Sequence, residues 1–207
     1  MKIKNSFKIL GLLLLLTIIY YLWYVYYNFR FEEISHNKVY KSALIKPERI
    51  ESFLISNNIK TVINLLDSGI QDTLNPAKQD EIDAEDKAIN NINEKYNKSI
   101  KHVNIPSSQI PTKNTLTQFY NVLDDQSNYP VLIHCYHGTG RAEMYSALYR
   151  IEYENWKNDD ARAKTRILVK GLGYTSSFAK GKEKGDFLIN YKPRRIGKNS
   201  TLNQMRK

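Results

Sequence analysis

The sequence predicts an α/β domain, a largely parallel sheet flanked by helices, behind an N-terminal helix that spans a membrane. Three observations lead there. Short β-branched runs alternate with stretches of helical periodicity from Lys38 onward; Val131-Leu132-Ile133-His134 is apolar enough for a strand in the core; and Ile9 to Phe29 is an unbroken uncharged run. A chain of 207 residues has room for one domain with a sizeable core and an appendage at each end. The divisions drawn are an anchor over 1–30, a domain over 31–175 and a basic tail over 176–207.

The anchor comes first. About 20 residues rising ~1.5 Å each cross a hydrocarbon core of ~30 Å. Tyr20, Tyr21, Trp23, Tyr24, Tyr26 and Tyr27 suit the headgroup boundary at the far end, and Arg30 closes the span. Bulky aromatics stand where a signal peptidase requires small residues, so the segment reads as uncleaved. Lys2, Lys4 and Lys8 form the denser basic cluster, which keeps the amino terminus in the cytoplasm and puts the domain outside it.

The elements follow in order. Lys38 to Ser42 alternates like a short strand, and Pro47 opens a helix to Ser56 with Ile50, Phe53 and Leu54 at helical spacing, ended by Asn57-Asn58. Thr61 to Leu66 is a buried strand bounded by Asp67-Ser68-Gly69. Pro76 to Tyr96 reads as an amphipathic helix with Ile82, Ala88, Ile89 and Ile92 inward and its charges on a solvated face. Ile100 to Ile105 is a strand, Thr115 to Asp125 a helix burying Leu116, Phe119, Tyr120 and Leu123, and Ala142 to Glu152 a helix. Asp159 caps a further helix running to Val169, where Gly171 stops it, and the glycine- and lysine-rich stretch from Ser176 is expected to be loosely ordered.

Composition excludes some chemistry. A single cysteine, Cys135, rules out an intramolecular disulfide framework and any multi-cysteine zinc cage. From Asn155 onward 14 basic residues face four acidic ones, an excess equal to the whole-chain charge of +10. Such a tail favours polyanions or simply solubility; nucleic-acid binding has charge alone behind it, with no reading motif.

The segment that carries chemistry is His134-Cys135-Tyr136-His137-Gly138-Thr139-Gly140-Arg141, between the last strand and a helix. Gly138 and Gly140 let the backbone of Tyr136 to Gly140 turn tightly with its N–H groups inward, an anion nest that the helix dipole reinforces. Arg141 adds a permanently charged fork matched to two phosphate oxygens. That positive field favours the thiolate of Cys135, an in-line nucleophile beneath a bound phosphate.

These residues resemble the signature of the cysteine-based protein tyrosine phosphatase superfamily: His-Cys, five residues, then Arg. The chain looks most like the compact dual-specificity branch with bacterial and atypical members, over roughly Lys38 to Trp156, through Val39-Tyr40-Lys41-Ser42, the Thr61–Leu66 strand, the Cys135 loop and Ala147-Leu148-Tyr149-Arg150. The resemblance implies Cys135 as nucleophile, Arg141 as phosphate clamp, His134 as an organiser of the loop, and no metal or cofactor. Tyr136 and His137 would project near the rim. Two departures stand out. Ala142 occupies the place where many relatives carry Ser or Thr, and Ile105 to Pro111 lacks the aspartic acid that relatives use to protonate the leaving oxygen. Asp67, at a strand end, is the nearest substitute acid, with a plain turn residue as its other reading.

The implied activity is phosphomonoester hydrolysis on phosphotyrosine proteins or on phosphorylated small molecules such as inositol phosphates. A phosphate-binding module with weak turnover is the alternative. A rhodanese-type sulfur transferase also seats a cysteine loop between strand and helix, but the His-Cys spacing to Arg141 argues against it.

Overall fold

The structure is a computed structural model, and it describes residues 2–69, 79–166 and 176–194, with side chains from Lys8 onward. Helix α1 covers Lys2–Leu22 and continues as a π-helical turn over Trp23–Tyr27. The segment Lys8–Tyr27 is long and apolar enough to cross a membrane, and the described side chains of α1 are exposed.

Five strands form one sheet in the order β1-β2-β5-β3-β4: β1 is Glu32–Ser35, β2 Val39–Ala43, β3 Thr61–Asn64, β4 Lys101–Asn104 and β5 Val131–Cys135. β2, β5, β3 and β4 run parallel, while β1 pairs antiparallel with β2 at the edge. The sheet is therefore mixed, and β1 is a strand that sequence reading did not single out. Its residues alternate poorly; the antiparallel backbone ladder to β2 holds it, and charge adds to it. Buried Lys41 on β2 pairs with Glu32 at 3.0 Å and with Glu143 on the helix after β5 at 2.8 Å.

The helices are α2 Pro47–Ser56, α3 Gln79–Tyr96, α4 Lys113–Asp124, α5 Arg141–Tyr153, α6 Asn158–Lys164 and α7 Glu183–Asn190. α2 begins with proline at its first turn and ends at Asn57, with Asn58 in the left-handed region at φ 51°. α4 is capped by Thr112, whose hydroxyl accepts from the Thr115 amide while the Thr115 side chain answers the Thr112 amide.

β5 lies in the middle of the sheet, and its alternation divides the molecule. Val131, Ile133 and Cys135 face a core shared with Phe119, Met144, Tyr145 and Leu148. Leu132 faces the opposite core, with Ile50, Leu54, Ile89 and Ile92. His134 therefore points to the α3 side and Cys135 to the α5 side.

The stretch expected to be loosely ordered from Ser176 is packed against the domain as far as Arg194. Phe178 and Leu188 belong to the α5-side core. Asn158 donates to the carbonyls of Leu188 at 2.8 Å and Tyr191 at 2.7 Å, and Arg194 forks onto Asp124 at 2.8 and 3.0 Å while stacking over Tyr120. A basic composition concealed two large buried apolar side chains and several specific pairings. The expected helix is present as α6, but Lys157 rather than Asp159 is its N-cap, with Asp159 inside the first turn, and it ends at Lys164 with Thr165 as C-cap, short of Val169; the Gly171 stop lies outside the described residues.

Candidate active site

Cys135 ends β5 and is buried. The chain then turns through Tyr136 to Gly140 into α5, and two backbone amides converge on the sulfur: Gly138 N at 3.3 Å and Ala142 N at 3.5 Å from Sγ. Such amides stabilise a thiolate by hydrogen bonding and by their fixed dipoles. Gly138 is required twice over. It sits at φ 71°, and a Cβ there would lie 2.6 Å from the Ala43 amide nitrogen and 2.9 Å from the Ser42 carbonyl oxygen.

Arg141 opens α5 and is buried. Its Nη1 donates to the carbonyls of Leu65 at 2.7 Å and Ser107 at 3.1 Å, which anchors the guanidinium between the end of β3 and the loop before α4. Nε and Nη2 are buried and have no hydrogen-bond partner among the described residues. One edge of the fork is fixed by protein, and these two donors are left for an anion held at the loop. The Ser107 hydroxyl is itself held by Tyr145 at 2.7 Å.

His134 reaches through the sheet to a carboxylate that sequence reading assigned to a solvated face. Glu85 on α3 is buried, and its Oε2 accepts from His134 Nε2 at 2.9 Å, His102 Nε2 at 3.0 Å and Asn64 Nδ2 at 2.7 Å. Burial raises the Glu85 pKa, but the charge of His134 and the hydrogen bonds of His102 and His134 outweigh it and hold the carboxyl at about 2. Burial lowers the His102 pKa, yet its contacts with Glu85, and with Asp86 at 3.1 Å, raise it above the ordinary value. The signal in the sequence was positional: Glu85 stands three residues after Ile82 and four before Ile89, on the apolar stripe of α3.

Asp67 lies two residues beyond the Leu65 carbonyl that Arg141 holds, and its Oδ1 accepts from the Gly69 amide at 2.9 Å. That is the turn contact of its structural reading. Tyr136 is partly exposed and stacks edge-on to His137 at 4.8 Å, while the His137 carbonyl accepts from Arg30 Nη1 at 2.9 Å. Two further side chains that sequence reading missed close on Gly140. A Cβ at that position would lie 3.0 Å from Gln109 Oε1 and 3.3 Å from Lys184 Nζ. Gln109 comes from the loop that lacks an aspartate, and Lys184 from α7. Gly185 in α7 leaves no room for a Cβ, which would clash with the carbonyl oxygens of Ala179 and Phe178 in the turn before it.

Comparison with known proteins agrees with this geometry. Residues 31–179 match the family described as PTP-NADK, "DSP-PTPase phosphatase fused to NAD+ Kinase". No match is found among curated proteins. Among solved structures, the chain is similar to the core catalytic domain of the PP-IP phosphatase Siw14 from S. cerevisiae, with TM-score 0.54 and 15% identity over 84% of this chain and 89% of that one. TpbA from P. aeruginosa gives 0.53 and 18% over 78% and 84%, and PTPMT1 in complex with PI(5)P gives 0.51 and 16% over 77% and 92%. These likenesses show the shared fold, and the family match over most of the chain assigns the class: this protein belongs to the DSP-PTPase-type phosphatases, a branch of the cysteine-based protein tyrosine phosphatase superfamily.

Proposed function

We propose that the chain hydrolyses phosphate monoesters through a cysteinyl-phosphate intermediate, with Cys135 as nucleophile and Arg141 as phosphate clamp. The observation that carries this reading is the pairing of Sγ, under the amides of Gly138 and Ala142, with the two unpartnered buried donors of Arg141. Loop amides from Tyr136 to Gly140 and the Arg141 fork hold the phosphoryl oxygens. The thiolate attacks phosphorus in line, the bond to the ester oxygen breaks, and that oxygen takes a proton. Water then attacks the thiophosphoryl group, releasing inorganic phosphate and restoring the thiolate. His134 acts from beneath, tying the strand that carries Cys135 to Glu85.

The leaving oxygen decides which esters react fastest. No carboxylic acid stands in Ile105 to Pro111, and Ala142 offers no hydroxyl to the departing thiolate. General acid catalysis contributes ~10²–10⁴-fold, so esters of good leaving groups lose least without it. Phosphotyrosine and other aryl phosphates therefore lose least in the chemical step, and TpbA has been captured with pTyr on this fold. Asp67 is the candidate acid, and it would have to leave Gly69 to serve. A phosphate-binding module with slow turnover is the second reading, and Ala142 is the residue that favours it.

The test is hydrolysis of an activated aryl phosphate and a phosphotyrosine peptide by the full chain in detergent, beside Cys135→Ser. Turnover that disappears in the variant supports the nucleophile. Phosphate binding without turnover in the wild type would favour the binding module. For the anchor, we propose a single-pass helix with the domain outside the cytoplasm; a compartment-specific reporter fused after Lys207 that is active only in the cytoplasm sinks that orientation.

A further inference from the structure

β1 is antiparallel to its neighbours, so its first residue lies at the edge where the parallel strands end, and that is the edge carrying Cys135. Whatever precedes β1 is delivered to the rim of the catalytic loop. What precedes it is the aromatic end of the apolar helix, with only Asn28, Phe29, Arg30 and Phe31 between Tyr27 and Glu32.

This connection is docked to the domain. Phe29 and Arg30 take left-handed backbone conformations, φ 52° and 50°. The Phe29 ring is buried against Phe53, and its carbonyl accepts at 2.7 Å from Ala43, the β2 residue in register with Cys135. Arg49 of α2 stacks its guanidinium 4.2 Å from the Tyr27 ring centre. Arg30, whose amide donates to the Tyr24 carbonyl at 2.9 Å, sends Nη1 to the His137 carbonyl within the phosphate-binding loop. Tyrosine and tryptophan rings of a span settle at headgroup depth. One side chain thus connects the headgroup-level segment to the loop that surrounds the sulfur.

We propose that the substrate of this site is a phosphate monoester on a lipid headgroup, presented by the membrane that holds α1. The inference rests on the phosphatase reading above. A lipid phosphate diffuses in the plane at which the loop is fixed, so tethering raises its effective concentration at Cys135 without any added contact. Arg30 and Arg49, at the junction, supply positive charge that attracts a phosphorylated headgroup. A soluble phosphoprotein gains nothing from this placement.

The experiment reconstitutes the full chain in phosphatidylcholine vesicles containing a phosphatidylinositol monophosphate. Phosphate release is compared with that from the water-soluble headgroup alone, a phosphotyrosine peptide and an activated aryl phosphate. In a second protein, ten Gly/Ser residues are inserted between Tyr27 and Asn28, a flexible spacer of about 18 Å. The expected result is at least tenfold faster release from the vesicle lipid than from its soluble headgroup. The insertion should cut lipid hydrolysis about tenfold while aryl phosphate turnover stays within about twofold. Equal rates on lipid and soluble headgroup, or lipid hydrolysis untouched by the insertion, would each overturn the proposal. The wild-type preference decides the matter by itself if the insertion damages the fold. Aryl phosphate turnover without lipid turnover defeats only the lipid assignment, whereas absence of both defeats the phosphatase reading beneath it.

Discussion

The two faces of β5 differ in kind. On the α5 side, Val131, Ile133 and Cys135 sit among apolar neighbours, and the thiol stands at the strand's end, where the chain leaves the sheet. On the α3 side, one residue before the cysteine, His134 meets a buried carboxylate that also accepts from His102 and Asn64. The proposed nucleophile lies on one side, and a charged network braces the strand from the other. On that reading, reactivity and rigidity fall to successive residues of one strand.

Substitution of the sulfur tests the first face most sharply. Cys135→Ser should lower aryl phosphate turnover by at least about 10⁴-fold, since removing a nucleophile removes the whole covalent route. Thermal stability should barely change, because the side chains are nearly equal in size. A loss of stability comparable to that of the brace variants would mean that the two faces are not separable.

The brace should respond in the opposite way. Glu85→Ala leaves His134, His102 and Asn64 facing an empty site, and loss of one partner from a buried charged cluster costs about 3–5 kcal/mol. Chemical denaturation measures this directly. Activity of the folded fraction should fall less than in Cys135→Ser.

The sequence revealed these faces unequally. Strand and helix order, the apolar stripes and the loop from Cys135 to Arg141 were legible because each depends on local periodicity or on a contiguous motif. The Glu85 cluster was not, since its members are spread over β3, α3, β4 and β5 and meet only when the sheet is assembled. β1 was missed for the same reason: its glutamate partners a lysine on the next strand and shares it with α5. The segment from Ser176 looked like a solvated tail because lysines outnumber apolar residues there, yet Phe178 and Leu188 suffice to fold it back.

The pH dependence of stability sharpens the description of the brace. Glu85 lies below its ordinary 4.5, so its contribution is present above that value and is lost as pH falls toward about 2. His102 is shifted upward from 6.5, so its contribution is full below 6.5 and is lost as pH rises through the raised value. Denaturation midpoints should therefore be highest between about 4.5 and 6.5 for this cluster, and Glu85→Gln should flatten both limbs. Limbs that survive in that variant would assign the titration elsewhere.

The smallest expected effect lies at the rim, where α7 approaches the loop. Lys184 Nζ stands 3.3 Å from where a Gly140 Cβ would be and 5.5 Å from the Phe178 ring centre. It is only partly buried, so its attraction for a bound phosphate is screened by solvent and amounts to roughly 0.5–1 kcal/mol. Lys184→Met keeps the length of the side chain and removes the charge. KM for a phosphate monoester should rise about two- to fivefold with kcat unchanged, the pattern of a contact made equally in ground and transition states. Greater dependence on salt in the wild type than in the variant would accompany it. A fall in kcat instead would show that Lys184 helps the leaving oxygen depart, and α7 would then supply part of what the loop before α4 lacks.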